Sequence, residues 1–594
     1  MLKYILLSSL VFAPLISQAQ EFETVVQEKI FNSSDRVVID KAQIEKSKAP
    51  TLTSLLSTQA NISVSSTPFQ PSSLYMRGGD SGHILILVDG VSFYDAATIQ
   101  RSFNLNSLDI RTVEKIEIIK GSQSVLFGGQ ALSGVIKITT IPAQARKPMV
   151  VLEGGTQDKA NVGVSYQKNW DQDLFSVRAR VGQKNNESPV LNSHNIYPNK
   201  NLSTDLIYRH EAEWFTQGKL SYMSDEANSP STNYATFQIK DADDFVIKNK
   251  QGAISVLTGS NKMSLAPLIT LSQQWSQRTY DQATSTPVTD QVYDGQVTQV
   301  RAEGRILNLE ESQISMGAHY TKEAMVYRDV GVEKANVFSE LRGVFTKYDQ
   351  ALGQDFKFSL GSRFESWEKQ DGVLTGQMGL VFQENTKLEV ATGFKAPSLF
   401  QLYSSYGNPD LEAEKSVSYS LSHQKAITEN MNASMTLFYT EFSNLIATQG
   451  TPAKYYNVAK SNTRGLEFSY SWNFAPTQQI SFVAGYQEPW DETNHRWLLR
   501  RPLTTASMRY GVTWDQWITQ AELVAVGSRG DRTGPASYGE IPGYMIGNLS
   551  ATYKFSEAYS SYVRIDNVAN YRYQESYSYY SEGVAGTLGF TAQF

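Results

Sequence analysis

From about residue 150 onward, apolar and polar side chains alternate with period two. Ser416 to His423 reads Ser-Val-Ser-Tyr-Ser-Leu-Ser-His. Leu466, Phe468, Tyr470, Trp472 and Phe474 alternate with Glu467, Ser469, Ser471 and Asn473. Met431, Ala433, Met435, Leu437 and Tyr439 alternate with Asn432, Ser434, Thr436 and Phe438. At the end, Val584, Gly586, Leu588, Phe590, Ala592 and Phe594 share one face. A repeat of two is an extended strand with unlike faces. A soluble sandwich, a β-solenoid or an outer-membrane barrel could use it. The pattern persists without dividing into domains of about 100 residues, which favours the barrel. Membrane strands take about 9–11 residues, so about 445 residues at roughly 20 per strand and loop predict about 22 antiparallel strands. Tyr470, Trp472, Tyr571 and Tyr573 are candidates for the interfacial ring of aromatics.

The N-terminus is patterned differently. Lys3 precedes the apolar run Tyr4 to Ile16, and Ser17-Gln18-Ala19 is a small-x-small cleavage pattern. Residues 1–19 therefore read as a secretory signal peptide. No later run is long enough for a membrane-spanning helix. Between residues 31 and 145 the alternation is replaced by continuous apolar runs. His83 to Val88 ends at the turn pair Asp89-Gly90, Val113 to Gly121 is a second strand, and Gly134 to Thr140 a third. Such runs are strands covered on both faces. Thr51 to Gln59 is a short helix candidate, with Leu52, Leu55 and Leu56 on one side. A small mixed α/β domain thus precedes residues 146–594, and a barrel of this size needs either an open bore or something inside it.

Composition narrows the function. The formal net charge is −6, from 53 Lys plus Arg against 59 Asp plus Glu, so nucleic acid is not an expected partner. There is no cysteine, which removes disulfides and thiolate chemistry. Tyr, Phe and Trp number 32, 27 and 9 while the mean hydropathy is −0.35, as suits a large β protein whose alternate residues meet different solvents. The six histidines are scattered and no hydrolase, zinc or P-loop motif occurs, so the chain is not expected to be an enzyme.

Several fragments together resemble a family. Arg77-Gly78, Leu87-Val88-Asp89-Gly90, Val113-Glu114-Lys115-Ile116-Glu117 with Lys120-Gly121, Ser124 to Gly128 and Gly134 to Ile138 stand in the order of the plug domain of TonB-dependent outer-membrane receptors. Gly393 to Leu399, Leu402-Tyr403, Gly407 to Leu411, Glu414-Lys415-Ser416 and Thr463 to Glu467 resemble that family's barrel signature. Gly121-Ser122, Phe127-Gly128 and Lys137 depart from the usual plug residues. The resemblance implies active import across the outer membrane of a Gram-negative bacterium by a monomer set in outer-membrane lipid. It implies TonB, with ExbB and ExbD of the inner membrane, as the source of energy. Glu23-Thr24-Val25-Val26-Gln27, within residues 20–30, is similar to the TonB box, an extended peptide that supplies backbone groups to a partner strand.

Two segments match the plug's outer loops by position, Ser65 to Ser73 and Ser92 to Arg101. Phe69, Gln70, Tyr94, Asp95, Thr98 and Gln100 are the candidate ligand contacts, since they mix rings with amide and hydroxyl groups. Arg77, Glu114 and Glu117 are expected to hold the plug against the barrel wall. Asp241, Asp243 and Asp244 form a candidate calcium site. Phe394 to Ser416 and Leu498-Leu499-Arg500-Arg501-Pro502 resemble the cobalamin (vitamin B12) receptors most. A ferric siderophore or haem is the alternative ligand, and a passive porin the alternative of a different class.

Overall fold

The computed structural model describes residues 36–594 except 66–71, 143–145, 234–235, 261–262, 264, 283–288, 368–369, 450–452 and 535–536. The leader, the 23–27 segment, Phe69 and Gln70 lie outside the described residues. Residues 149–593 form a closed antiparallel barrel of 22 strands, with the short strand Arg496–Trp497 appended. The last strand, Ala585–Gln593, pairs with the first barrel strand, Met149–Gly155, and closes the cylinder. Among the described residues, no helix is long and apolar enough to cross a membrane.

The period-two pattern becomes two surfaces. Phe358, Leu380, Leu388, Leu421, Leu437, Leu466 and Tyr486 lie side by side in register across seven strands. Leu388 and Leu437 each keep 47% of their surface exposed on the outer wall. Such a belt is stable only against hydrocarbon. The alternate positions, Ser359, Glu389, Ser420, Ser422, Thr436 and Glu467, are buried facing the lumen. Trp472 is exposed on the outer wall as expected, whereas Tyr571 is exposed in the loop after the strand Tyr559–Asp566. Tyr573 is not a membrane-ring residue: it stacks on Tyr544 with ring centroids 3.7 Å apart, lining the lumen.

The two ends of the barrel differ. At one end, two- or three-residue turns such as Asp171-Gln172, Gln383 to Asn385, Pro476-Thr477 and Asp515-Gln516 join the strands. At the other, Gln238–Gly259 and Lys454–Ala475 reach 22 residues each, well beyond what spanning requires. Short turns mark the periplasmic end and long extensions the outer one.

The plug fills the bore. Its sheet runs Arg36–Asp40, Lys115–Lys120, Gly134–Thr139, Ile84–Val88, Val91–Ser92, with only the central 84–88 and 134–139 pair parallel. Ile84, Ile86, Ile116, Ile118, Ile136 and Ile138 face Leu52, Leu55 and Leu56 in one core, which also takes in Phe215, Met223 and Leu257 of the wall. The helix expected over 51–59 is shorter, Leu52–Leu56. Thr51 caps it, with Ser54 completing a capping box. Its continuation is taken by the wall: Ser507 Oγ donates to the Thr58 carbonyl at 2.7 Å, and Arg509 donates to the Thr58 hydroxyl.

Gly78 shows how closely plug and wall approach. Its φ is +81°, and a Cβ there would lie 1.9 Å from Thr463 Oγ1. Gly78→Ala should destabilise the seated plug by about 2–4 kcal/mol, combining backbone strain with overpacking. Limited proteolysis of the embedded protein checks this: the variant's plug should be cut faster while the barrel stays intact.

Candidate functional site

The plug–barrel seam is built from buried charges in reciprocal order. Plug cations meet wall carboxylates. Arg77 donates from Nε to Glu467 Oε1 at 3.1 Å and from Nη2 to Oε2 at 2.9 Å, and Lys120 Nζ lies 3.1 Å from the same carboxylate. The Arg77 guanidinium also sits 4.5 Å over the Phe438 ring. Arg101 donates to Glu323 at 2.8 Å and to the carbonyls of Ala396 and Pro397 at 2.6 and 2.9 Å. His83 accepts the Asp80 backbone N–H at Nδ1, which leaves Nε2 to donate to Glu414, 3.3 Å away. Lys395 completes that carboxylate at 2.7 Å.

Plug carboxylates meet wall cations. Asp80 pairs with Arg501 at 3.2 Å and Asp95 with Arg278 at 3.3 Å. Asp89, the turn residue after strand 84–88, accepts from Lys219 Nζ, Thr140 N and Thr140 Oγ1, each at 2.7 Å. Burial disfavours the Asp89 carboxylate, but the Lys219 ammonium and these hydrogen bonds hold its pKa below the ordinary 3.8. The sign follows: the stabilisation is full above 3.8 and is lost as pH falls through the lower folded value. Seating should therefore weaken in acid below that window. In Asp89→Asn the acid step measured by pepsin cleavage of the plug should shrink.

Above the plug, a cavity of about 490 Å³ separates residues 49–57, Asn104 and Asn106 from the wall. Nine asparagines line it: 104, 106, 161, 186, 199, 201, 249, 548 and 567. Lys159, Arg180, Lys184 and Arg564 stand against Asp225, Glu522, Asp566, Glu575 and Glu582, so charge is nearly balanced. Tyr544, Tyr573, Tyr579 and Tyr580 supply rings. Nδ2 of the buried Asn186 and Nε of Arg180 have no hydrogen-bond partner. The chamber is thus amide-rich and ringed by aromatics, as a site for a large polar ligand requires.

Residues 151–568 match the family described as TonB dependent receptor-like, beta-barrel, and residues 29–135 match the TonB-dependent Receptor Plug Domain. The chain belongs to the TonB-dependent receptor family. It is an outer-membrane transporter of that kind. Solved structures share the fold across nearly their whole length. The siderophore receptor PirA from Acinetobacter baumannii has a TM-score of 0.80 at 14% identity, covering 94% of this chain and 98% of that one. The ferric enterobactin receptor PfeA gives 0.81 at 16%, covering 95% and 100%, and the copper transporter OprC 0.82 at 12%, covering 95% and 99%.

Within the receptor, the sequence candidates separate. Arg77 reaches the wall. Glu117 does not: its partners Arg36, Lys115 and Lys137 all belong to the plug sheet. Glu114 pairs with Lys41 at 3.7 Å and with Arg146 beside the plug–barrel junction. Both lie on or next to strand 115–120, whose neighbours on each side are plug strands rather than wall. Tyr94 and Asp95 point to the wall, Tyr94 donating to Glu323 at 2.7 Å, so they anchor the plug's outer loop. Thr98 is folded back, donating to the Asp95 carbonyl at 3.0 Å. The Gln100 Oε1 is buried without a hydrogen-bond partner, close to Gly82 and Lys395. Asp241 spends one oxygen on Ser188 and Tyr197, both at 2.7 Å. The side chains of Asp243 and Asp244 lie outside the described residues, and no metal-holding group of three acidic, His or Cys residues occurs among the described ones.

The wall partners Lys219, Glu323, Lys395, Glu414, Glu467 and Arg501 were missed as functional residues. Four of them, Lys395, Glu414, Glu467 and Arg501, sit inside the very fragments that carry the family resemblance. A charge at an inward position of an otherwise Ser/Thr/Asn face was the available signal.

Proposed function

We propose that the receptor imports a compact, nearly uncharged metal chelate, of the ferric siderophore type, through the outer vestibule and past the plug. The carrying observation is the amide-rich lining with balanced charge. A neutral trihydroxamate chelate presents carbonyl oxygens to asparagine and arginine donors at no net electrostatic cost. A highly anionic tricatecholate would meet five carboxylates there. The similarity to PirA, PfeA and OprC supports metal-linked cargo over other nutrients. A second reading, cobalamin, is favoured by the same amide wall, because that ligand carries many amide groups, and by the 394–416 and 498–502 fragments.

Equilibrium binding to the purified receptor tests this, read by quenching of vestibule tyrosine fluorescence. A ferric trihydroxamate should bind about 100-fold more tightly than a ferric tricatecholate, equivalent to about 2.8 kcal/mol. Tight binding of cyanocobalamin with neither iron chelate bound would move the assignment to the second reading.

A further inference from the structure

A second cavity, of about 950 Å³, opens at the periplasmic end beneath the plug. Its plug side is Arg36 to Ile39, Gln43, Lys46, Gln59 and Ala60. Its wall side includes Arg509, Gly511 and Ile518 to Gln520. The outer vestibule ends on the same strands, at Glu522 and Val524. Arg509 and Glu522 are cross-strand register partners, joined at 2.7 Å. Arg564 extends the row, 3.7 Å from Glu522, and donates to the Ser47 carbonyl at 2.6 Å. The two cavities therefore border opposite sides of one ionic row, and among the described residues plug segment 47–58 lies across it, through Ser47 and Thr58.

That segment also lies near the end on which a pull on the N-terminus would act. Chain order from the pulled end runs through strand Arg36–Asp40, helix Lys41–Ser47 and helix Leu52–Leu56. The strand is a sheet edge, paired on one side only through five register pairs. The helices belong to no sheet. Strands 84–88, 115–120 and 134–139 each have pairing on both sides. Few backbone bonds and short elements mark the low-stability end of a domain.

We propose that the translocation route runs along the wall of strands Thr504–Trp514, Trp517–Val526, Tyr544–Lys554 and Tyr559–Asp566. The Arg509–Glu522–Arg564 row and plug segment 47–58 form its gate. Withdrawing residues 36–61 joins the two cavities while the three central plug strands stay seated against the opposite wall.

The route rests on the import reading of the vestibule, but its test needs no ligand, so an error in cargo leaves the outcome unchanged. The chain has no native cysteine, so single thiols report cleanly. Full-length receptor carrying Gln520→Cys or Val524→Cys, on the route, is compared in planar bilayers with Gln377→Cys. Gln377 stands on another part of the wall, in strand Gln370–Phe382, near Gly361 and the plug's Val125. KCl current is followed in a urea ramp that loosens the least stable part of the plug. A bulky thiol reagent is then added. Current should appear before the barrel unfolds, and the reagent should remove most of it at 520 and 524 but not at 377. Equal effects at all three sites, no effect at 520 and 524, or no current until the barrel itself melts would each overturn the proposal. A lumen emptied of the whole plug would be too wide for one adduct to block.

Discussion

Glu467→Ala should unseat the plug. The carboxylate answers two buried cations at once, Arg77 and Lys120, and all three side chains are nearly inaccessible to water. Removing it leaves two desolvated positive charges facing each other across the seam. Breaking a buried pair in this way costs about 3–5 kcal/mol, mostly as the penalty on the stranded charge. Lys120 also donates to the Ala60 carbonyl at 2.6 Å, and Asn61 donates to Glu467, so the loss propagates into the segment beside the proposed gate. The expected phenotype is a leak: cells should become sensitive to large antibiotics that the outer membrane normally excludes. Glu467→Gln should fall between, since it keeps the shape and one acceptor but loses the charge. A Glu467→Ala strain with unchanged antibiotic resistance would show that the cluster does not hold the plug.

Val25→Pro should abolish uptake and leave ligand binding intact. The 23–27 segment is assigned here as the strand offered to TonB, a proposal drawn from its composition and place before the plug. Proline removes a backbone donor and fixes φ, which disables strand addition without touching the vestibule. Radiolabelled ferric chelate should bind the variant cells as it binds wild type, yet fail to accumulate. Normal accumulation would reject the assignment.

The barrel was legible because its physics is local. Every second residue meets hydrocarbon, so the pattern survives in runs as short as Met431 to Tyr439, and dividing length by strand repeat gave the observed strand number. The plug strands were legible for the converse reason: burial on both faces writes continuous runs such as Ile84 to Val88. The contacts between the two bodies were not. Glu117 and Glu467 look alike in sequence, each an acid within a strand. One faces lysines of its own sheet, and the other faces an arginine 390 positions away. Only the way the two bodies nest decides between them. The outer loop 92–101 is ambiguous in the same way: rings and carboxylates suited to a ligand are equally suited to a wall, and Glu323 and Arg278 engage Tyr94 and Asp95. The asparagine lining of the vestibule was invisible because its nine members are scattered over seven strands and loops, none carrying a motif.

The pairing of Ala585–Gln593 with Met149–Gly155 sets an order of manufacture. The cylinder cannot be shut until the final strand has emerged from the ribosome and crossed to the outer membrane. The plug is the first part made, and salt links reach it from strands spread around the whole circumference. It is therefore available to be seated while the cylinder is still an open sheet. The seam between first and last strands is the final stitch of the wall.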